Sequence, residues 1–450
     1  MAQLKWTLIG LLAAFLLAGC SPTPPRDESQ AATEFLGLLA RGQFPKAAQQ
    51  FDGAMTAALP SEKLQKTWEV LVSRAGPFQQ QDHSRLSQEA GYNVVYVTCK
   101  FERSLVDMKV VFNAKKQIAG LFFGPAADPK AAAALAPYVK PDVFRDQPVT
   151  IGEGKWALPG TLSMPVAEAP LPAMVLVHGS GPCDRDESVG ANKPFRDLAG
   201  GLASRGVAVL RYDKRTRVHS AEFAALGSQF TVKEETVDDA LLAVALLRRT
   251  TGIDPQRVFV LGHSLGGMLV PRIGKLETNI AGFVILAGPT AKSLEDRMAE
   301  QMDYLQSLSE NAAPEKQKQF AELKQAVIKA KAFTAADVNS PTPVLGAPAR
   351  YWLDLRGYVP AEAAKELACP LLILNGARDY QVPTADFEFW RQTLAARTNV
   401  AWKLYPALNH LFIAGEGPGT PAEYEKAGHV DAELIEDIAR WVLGGANARK

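Results

Sequence analysis

The sequence predicts two folded units: a small N-terminal α+β domain, then a larger α/β domain whose mainly parallel sheet is flanked by helices. Three observations carry this. Five apolar runs without alternation, "AMVLVHG", "GVAVLRYD", "RVFVLGH", "GFVILAG" and "PLLILNG", suit strands covered on both faces. Helical stretches such as "NKPFRDLAGGLASR" and "ETVDDALLAVALLRR" separate most of them, which is the alternation that right-handed crossovers produce. Ahead of these runs, helical spacing gives way to strand patterns with no such alternation.

The chain has 450 residues, too many for one average domain, and 47% of them are hydrophobic, enough for substantial cores. Lys and Arg number 49 against 48 Asp and Glu. That balance leaves no global field to gather nucleic acid or to hold the chain on an anionic membrane, so no nucleic-acid partner is expected.

Residues 1–19 read as a targeting segment, with Lys5 ahead of an apolar stretch from Trp6 to Ala18 that is short for a spanning helix. It ends in Leu17-Ala18-Gly19-Cys20, which resembles the lipobox of bacterial lipoproteins. The resemblance implies acylation of Cys20 and a lipid anchor in the membrane. Ser21, where an aspartate would favour inner-membrane retention, implies an outer-membrane site facing the periplasm in a two-membrane cell. Three cysteines remain, Cys99, Cys183 and Cys369, an odd number and no disulfide framework.

Residues 20–30, including "SPTPPRDESQ", are proline-rich and polar and read as a tether. The first domain spans 31–126. Phe35, Leu38 and Leu39 follow helical spacing, "NVVYVTCKF" reads as a strand, and "SLVDMKVVFN" and "QIAGLFF" flank the turn "AKK" as a hairpin. The stretch resembles nuclear-transport-factor-2-like domains and carries no catalytic motif; His83 reads as solvated surface. Residues 127–145 form a linker.

The second domain spans 146–446. It opens on a hairpin, "PVTIGEG" and "GTLSMPV", before the apolar runs begin. Residues of about 290–368 are too many for a loop and have helical periodicity at Leu294, Met298, Met302 and Leu305, then at Phe320, Leu323 and Val327. They read as a helical lid over the sheet edge. Tyr351 and Trp352, in "ARYWLDLRGY", are expected to be exposed there and to shape a substrate pocket.

The chemistry centres on "VFVLGHSLGGMLV", where Ser264 lies between a strand and a run that can start a helix. That order is the context in which G-x-S-x-G presents a nucleophile on a strained turn, with glycines at 262 and 266 because the backbones pass close together. A serine hydroxyl needs a base and an acid that orients it, and in this order of elements both come later in the chain. His410 and His429 lie downstream. His410 follows a strand and loop and is assigned as the base, while His429 opens the last helix and reads as a surface or capping residue. Asp379, directly after the buried run "LLILNG", is the acid.

The oxyanion of a tetrahedral intermediate needs donors. One is the backbone N–H of Leu265; the other comes from the loop after "AMVLVHG", with Ser180 named and Gly181 its close competitor. His178 reads as a structural hydrogen-bonding group, and His263 and His219 as packing or surface residues. The charge-dense "DRDES" and "RYDKR" are expected to form buried ion pairs that hold the loops. No H-E-x-x-H, paired C-x-x-C or phosphate loop occurs, and no cofactor is expected.

Together "HGSGPCDRDE", "NKPFRDLAGGLASRGVAVLRYDKRT", "GHSLGG", "NGARDYQVP" and "NH" resemble the α/β-hydrolase superfamily, and within it the bacterial esterase D-type carboxylesterases, over residues 145 to 445. The resemblance implies an α/β-hydrolase fold and hydrolysis of small carboxylic esters of short to medium acyl length without metal or organic cofactor. The same triad suits a thioesterase, amidase or acyltransferase, and a binding lipoprotein with a vestigial site is the alternative from another class. Cys183 departs from the family's pattern, in which a polar residue stands there.

Overall fold

The computed structural model describes residues 27–89, 92–126, 134–308 and 314–444, so the targeting segment and Cys20 lie outside the described residues. The chain divides into two compact units, residues 1–87 with 93–124, and residues 88–92 with 125–450.

In the first unit, helices Glu28–Ala40, Phe44–Ala48, Gly53–Ala58 and Ser61–Ala75 precede a four-stranded sheet. Its strands are β1 (Phe78–Glu89), β2 (Tyr92–Phe101), β3 (Leu105–Phe112) and β4 (Ile118–Pro125), in spatial order β1-β2-β3-β4. The first helix starts three residues before Ala31 because the Asp27 carboxylate accepts from the Ser29 N–H and caps it. Phe35, Leu39 and Trp68 pack on Val95, Val97 and Phe101 of β2, whose alternate residues face the core. Sequence reading missed β1, since "FQQQDHSRLSQE" is an edge strand with no apolar alternation to betray it. His83 lies on it, partly exposed and beside Asp82, as its polar surroundings imply.

The second unit is built on eight strands in the order β12-β11-β10-β9-β7-β8-β6-β5. The expected hairpin is β5 (Phe144–Ile151) with β6 (Leu158–Pro165), antiparallel, and β6 is also antiparallel to β8. The remaining strands, β7 (Leu171–Val177), β8 (Ala208–Tyr212), β9 (Ile253–His263), β10 (Gly282–Leu286), β11 (Leu371–Gly376) and β12 (Val400–Tyr405), pair in parallel. Their unbroken apolar character has a direct cause. Val175, Val177, Val260 and Ile285 enter one core with helix Leu265–Leu276, while Met174, Leu176, Leu261 and Leu286 enter another with Phe195, Leu434 and Ile438.

Between β10 and β11 lie helices Leu294–Ser307, Pro314–Ala332, Ala349–Leu355 and Pro360–Ala364, in place of a long loop. Phe320 and Val327 are buried as the periodicity predicts, but Leu323 is exposed. The expectation for Tyr351 and Trp352 needs correction. Both are buried in the larger core, Trp352 donating from Nε1 to the Val344 carbonyl at 3.2 Å, and their aromatic surface is accounted for by packing rather than by exposure to a ligand.

Candidate active site

Ser264 stands between β9 and helix Leu265–Leu276 with φ 53° and ψ −117°, a strained conformation for a residue with a side chain. The strain is held from several sides. Its N–H donates to the Leu286 carbonyl at 2.9 Å on the neighbouring strand. A Cβ on Gly262 would collide with the Gly266 carbonyl, and one on Gly266 with that of Val177. The two flanking glycines are therefore a steric requirement of this turn.

His410 and Asp379 come together from the loops that follow β12 and β11. Nδ1 of His410 lies 2.6 Å from Oδ2 of Asp379, and both side chains are buried. The other Asp379 oxygen accepts from the N–H groups of Gln381 and Val382 at 2.8 and 2.9 Å, which fixes the carboxylate and leaves Oδ2 for the imidazole. Asn409 holds the histidine loop: its side-chain oxygen accepts from the N–H groups of Leu411 and Ile413. The Ser264 hydroxyl has no hydrogen-bond partner among the described residues. Its connection to His410 runs through its neighbour His263, whose Nε2 donates to the His410 carbonyl at 2.9 Å and whose ring centroid is 4.7 Å from that of His410.

Beside Ser264 runs the loop after β7. A Cβ built on Gly179 would be 3.2 Å from the Ser264 Cβ and 3.7 Å from its Oγ, so this loop lies against the hydroxyl. The Gly179 N–H is already engaged by Oε1 of Glu187 at 2.6 Å, and its carbonyl accepts from the buried Lys214 Nζ at 2.9 Å. The next amides, those of Ser180 and Gly181, have no intramolecular acceptor among the described residues, and Ser180 is exposed. Leu265 is the first residue of its helix, so its N–H is one of the amides that the helix itself leaves unpaired. Uncommitted donors thus sit on both sides of Ser264.

The remaining histidines are structural or buried. His178 is enclosed between the rings of Phe195 and Tyr212, its Nε2 donates to the Asp184 carbonyl, and burial pushes its pKa down to about 4. His429 pairs with Asp197 at 3.0 Å, and His219 donates to the Ala157 carbonyl. Ion pairs do brace these loops: Arg185 with Asp213 at 2.7 Å, Lys193 with Asp186 at 3.2 Å, and Arg211 with Asp186. Cys99, Cys183 and Cys369 are free, and burial pushes the Cys183 thiol up to about 12.

Sequence reading passed over two residues. His263, expected only to pack or to lie at the surface, is buried against Phe195 and Phe412 and is also bonded through both ring nitrogens, and Glu187, its partner at 2.8 Å, lies in the charged run expected to form buried ion pairs without being singled out in it. Spacing contains no signal for Glu187; its role depends on a loop that returns it under β9.

A parallel sheet, a strained serine at a strand-to-helix turn and a His–Asp pair on the following loops define a hydrolase site on an α/β scaffold. The chain belongs to the alpha/beta hydrolase family, whose model matches residues 174–432, over half the chain. A second family model, a protein of unknown function (DUF3887), matches residues 32–121. The chain is 40% identical to Esterase EstD of Thermotoga maritima over 415 residues, covering 92% of this chain and 95% of that one. Among solved structures it is similar to Est1E from Butyrivibrio proteoclasticus, at 15% identity and a TM-score of 0.43 over 67% of this chain and 99% of that chain. It is also similar to the Pyrococcus horikoshii acylaminoacyl peptidase, at 13% identity and a TM-score of 0.45 over 81% and 57% of the two chains.

Proposed function

We propose that the chain hydrolyses carboxylic esters of short to medium acyl length, with Ser264 as nucleophile, His410 as general base and acid, and Asp379 as the group that orients the imidazole. Esterase activity follows from the relationship to Esterase EstD. The mechanism is supported above all by a serine held at φ 53° on the strand-to-helix turn and a His410–Asp379 pair at 2.6 Å, with the residue before the serine, His263, hydrogen-bonded to the His410 carbonyl.

In the first step His410 removes the Ser264 proton as Oγ attacks the ester carbonyl. The carbonyl oxygen becomes an oxyanion, which the N–H groups of Leu265 and Ser180 stabilise, with Gly181 the competing donor. His410 then delivers the proton to the departing alcohol, and an acyl-enzyme remains. Water, deprotonated by the same imidazole, releases the acid and restores Ser264. Asp379 stabilises the imidazolium that forms twice in the cycle.

The test is a panel of chromogenic esters of graded acyl length, with matched thioesters and anilides, on wild type and Ser264→Ala. We expect ester turnover to exceed the other two classes and to fall by roughly ten-thousand-fold or more in the variant. Wild-type rates in Ser264→Ala refute the nucleophile; faster thioester or anilide cleavage refutes the substrate class.

The reading of Cys20 as an acylated residue belongs to the same proposal and places the enzyme in the cell envelope, anchored to the outer membrane and facing the periplasm. Several acyl chains anchor stably where one does not. Radiolabelled palmitate should label the full chain and not Cys20→Ala. The helices and four-stranded sheet of the first unit suit a nuclear-transport-factor-2-like domain.

A further inference from the structure

Behind the reacting groups lies a second acid–histidine pair. Oε2 of Glu187 is 2.8 Å from Nδ1 of His263, and both residues are at least 95% buried. Each uses its remaining polar atom on a different part of the site. Oε1 of Glu187 accepts from the Gly179 N–H at 2.6 Å, at the root of the loop that carries Ser180. Nε2 of His263 meets the His410 carbonyl at 2.9 Å. Residues 179, 187, 263 and 410 are thus joined by three hydrogen bonds across the donor loop, the position before Ser264 and the loop of the proposed base.

We propose that Glu187 and His263 are positioning residues that hold the oxyanion loop and the His410 main chain in register around Ser264, an inference that rests on the serine-hydrolase reading above. Three segments of separate origin must agree to within a fraction of an ångström at such a site, and misplacement by about 1 Å costs up to ~100-fold in rate. A carboxylate is suited to the task because its two oxygens accept from two segments at once, and an imidazole because its nitrogens point in opposed directions.

The bonding pattern also sets the charge. His263 faces an acceptor at each nitrogen, the Glu187 carboxylate and the His410 carbonyl, so both nitrogens donate and the ring is an imidazolium paired to a carboxylate. The groups that face the pair agree: Glu187 and, more distantly, Asp379 hold the His263 pKa above its ordinary value against desolvation, while His263 and the Gly179 N–H hold that of Glu187 below its own. The rings of Phe195 and Phe412 flank His263 and exclude water.

The test compares wild type, His263→Phe, His263→Gln and Glu187→Gln, each titrated with a serine-reactive fluorophosphonate so that kcat is counted per reactive site, with Ser264→Ala, assayed per protein chain, all in the full chain. We expect His263→Phe to lose about 100-fold in kcat with KM within about threefold of wild type. His263→Gln, which keeps a donor for the His410 carbonyl, should recover part of that loss. Wild-type kcat per titrated site in His263→Phe and Glu187→Gln would overturn the proposal while an inactive Ser264→Ala left the serine mechanism standing. An active Ser264→Ala would overturn both. Nitrogen-15 histidine spectra of the wild type give an answer that needs no variant: one histidine should have both nitrogens protonated at pH 8, and its absence overturns the proposal.

Discussion

Gly266 packs so closely on Val177 that a Cβ at 266 would fall well inside contact distance of the Val177 carbonyl oxygen. The clash is with main chain on the central strand β7, which cannot move without disturbing its pairing to β8 and β9. We therefore expect Gly266→Ala to cost roughly 3 kcal/mol or more, at the upper end of single-substitution effects. Urea unfolding followed by tryptophan fluorescence measures it; a loss under about 1 kcal/mol would mean that the turn relaxes and that its geometry is softer than argued.

Much of this architecture was legible because it follows from backbone rules. The five apolar runs could only be strands buried on both faces, and they are β7 to β11, with β12 less apolar and found from its place before His410. The Ser264 turn and the His410–Asp379 contact were legible because strained turns demand glycine and because the two partners follow β12 and β11 in chain order. What stayed hidden were contacts that depend on side-chain direction. Glu187 sits among three other charged residues in "DRDES", a run that gives no reason to choose it, yet it is the one that turns inward to His263. Strand β1 escaped because an edge strand of polar residues has no period to detect. The exposure expected of Tyr351 and Trp352 is not found, because their aromatic rings pack into the larger core.

The burial of Trp352 separates stability from substrate binding. Trp352 is 2% exposed and its Nε1 donates to the Val344 carbonyl, so Trp352→Ala leaves a cavity and removes one of the two donors to that carbonyl, the other being the Ala347 N–H. We expect a loss of about 3–5 kcal/mol in unfolding free energy. At temperatures where the variant stays folded, KM for a short-chain ester should remain within about threefold of wild type. Unchanged stability with a tenfold higher KM would return Trp352 to the pocket.

His178 should make the fold sensitive to mild acid, and the sign follows from its surroundings. Enclosed by Phe195 and Tyr212, with Nε2 donating to the Asp184 carbonyl, the ring is neutral in the native state and its pKa falls from 6.5 to about 4. Once unfolded, it binds a proton below pH 6.5. Between pH 6.5 and about 4 the unfolded chain therefore holds more protons than the native one at this residue, and stability declines as the pH falls through that window. Over the span from pH 7 to pH 5 the contribution is on the order of 2 kcal/mol. His178→Gln, which retains a donor for Asp184 but cannot titrate, should be less stable than wild type at pH 7 through lost packing, yet should lose less on going to pH 5. Raised carboxyl groups such as Asp239, at about 6, push the other way, but they are common to both proteins and cancel in the difference. Urea unfolding of the two proteins at pH 7 and pH 5 gives the four free energies required; equal acid losses would show that His178 is already charged in the folded chain.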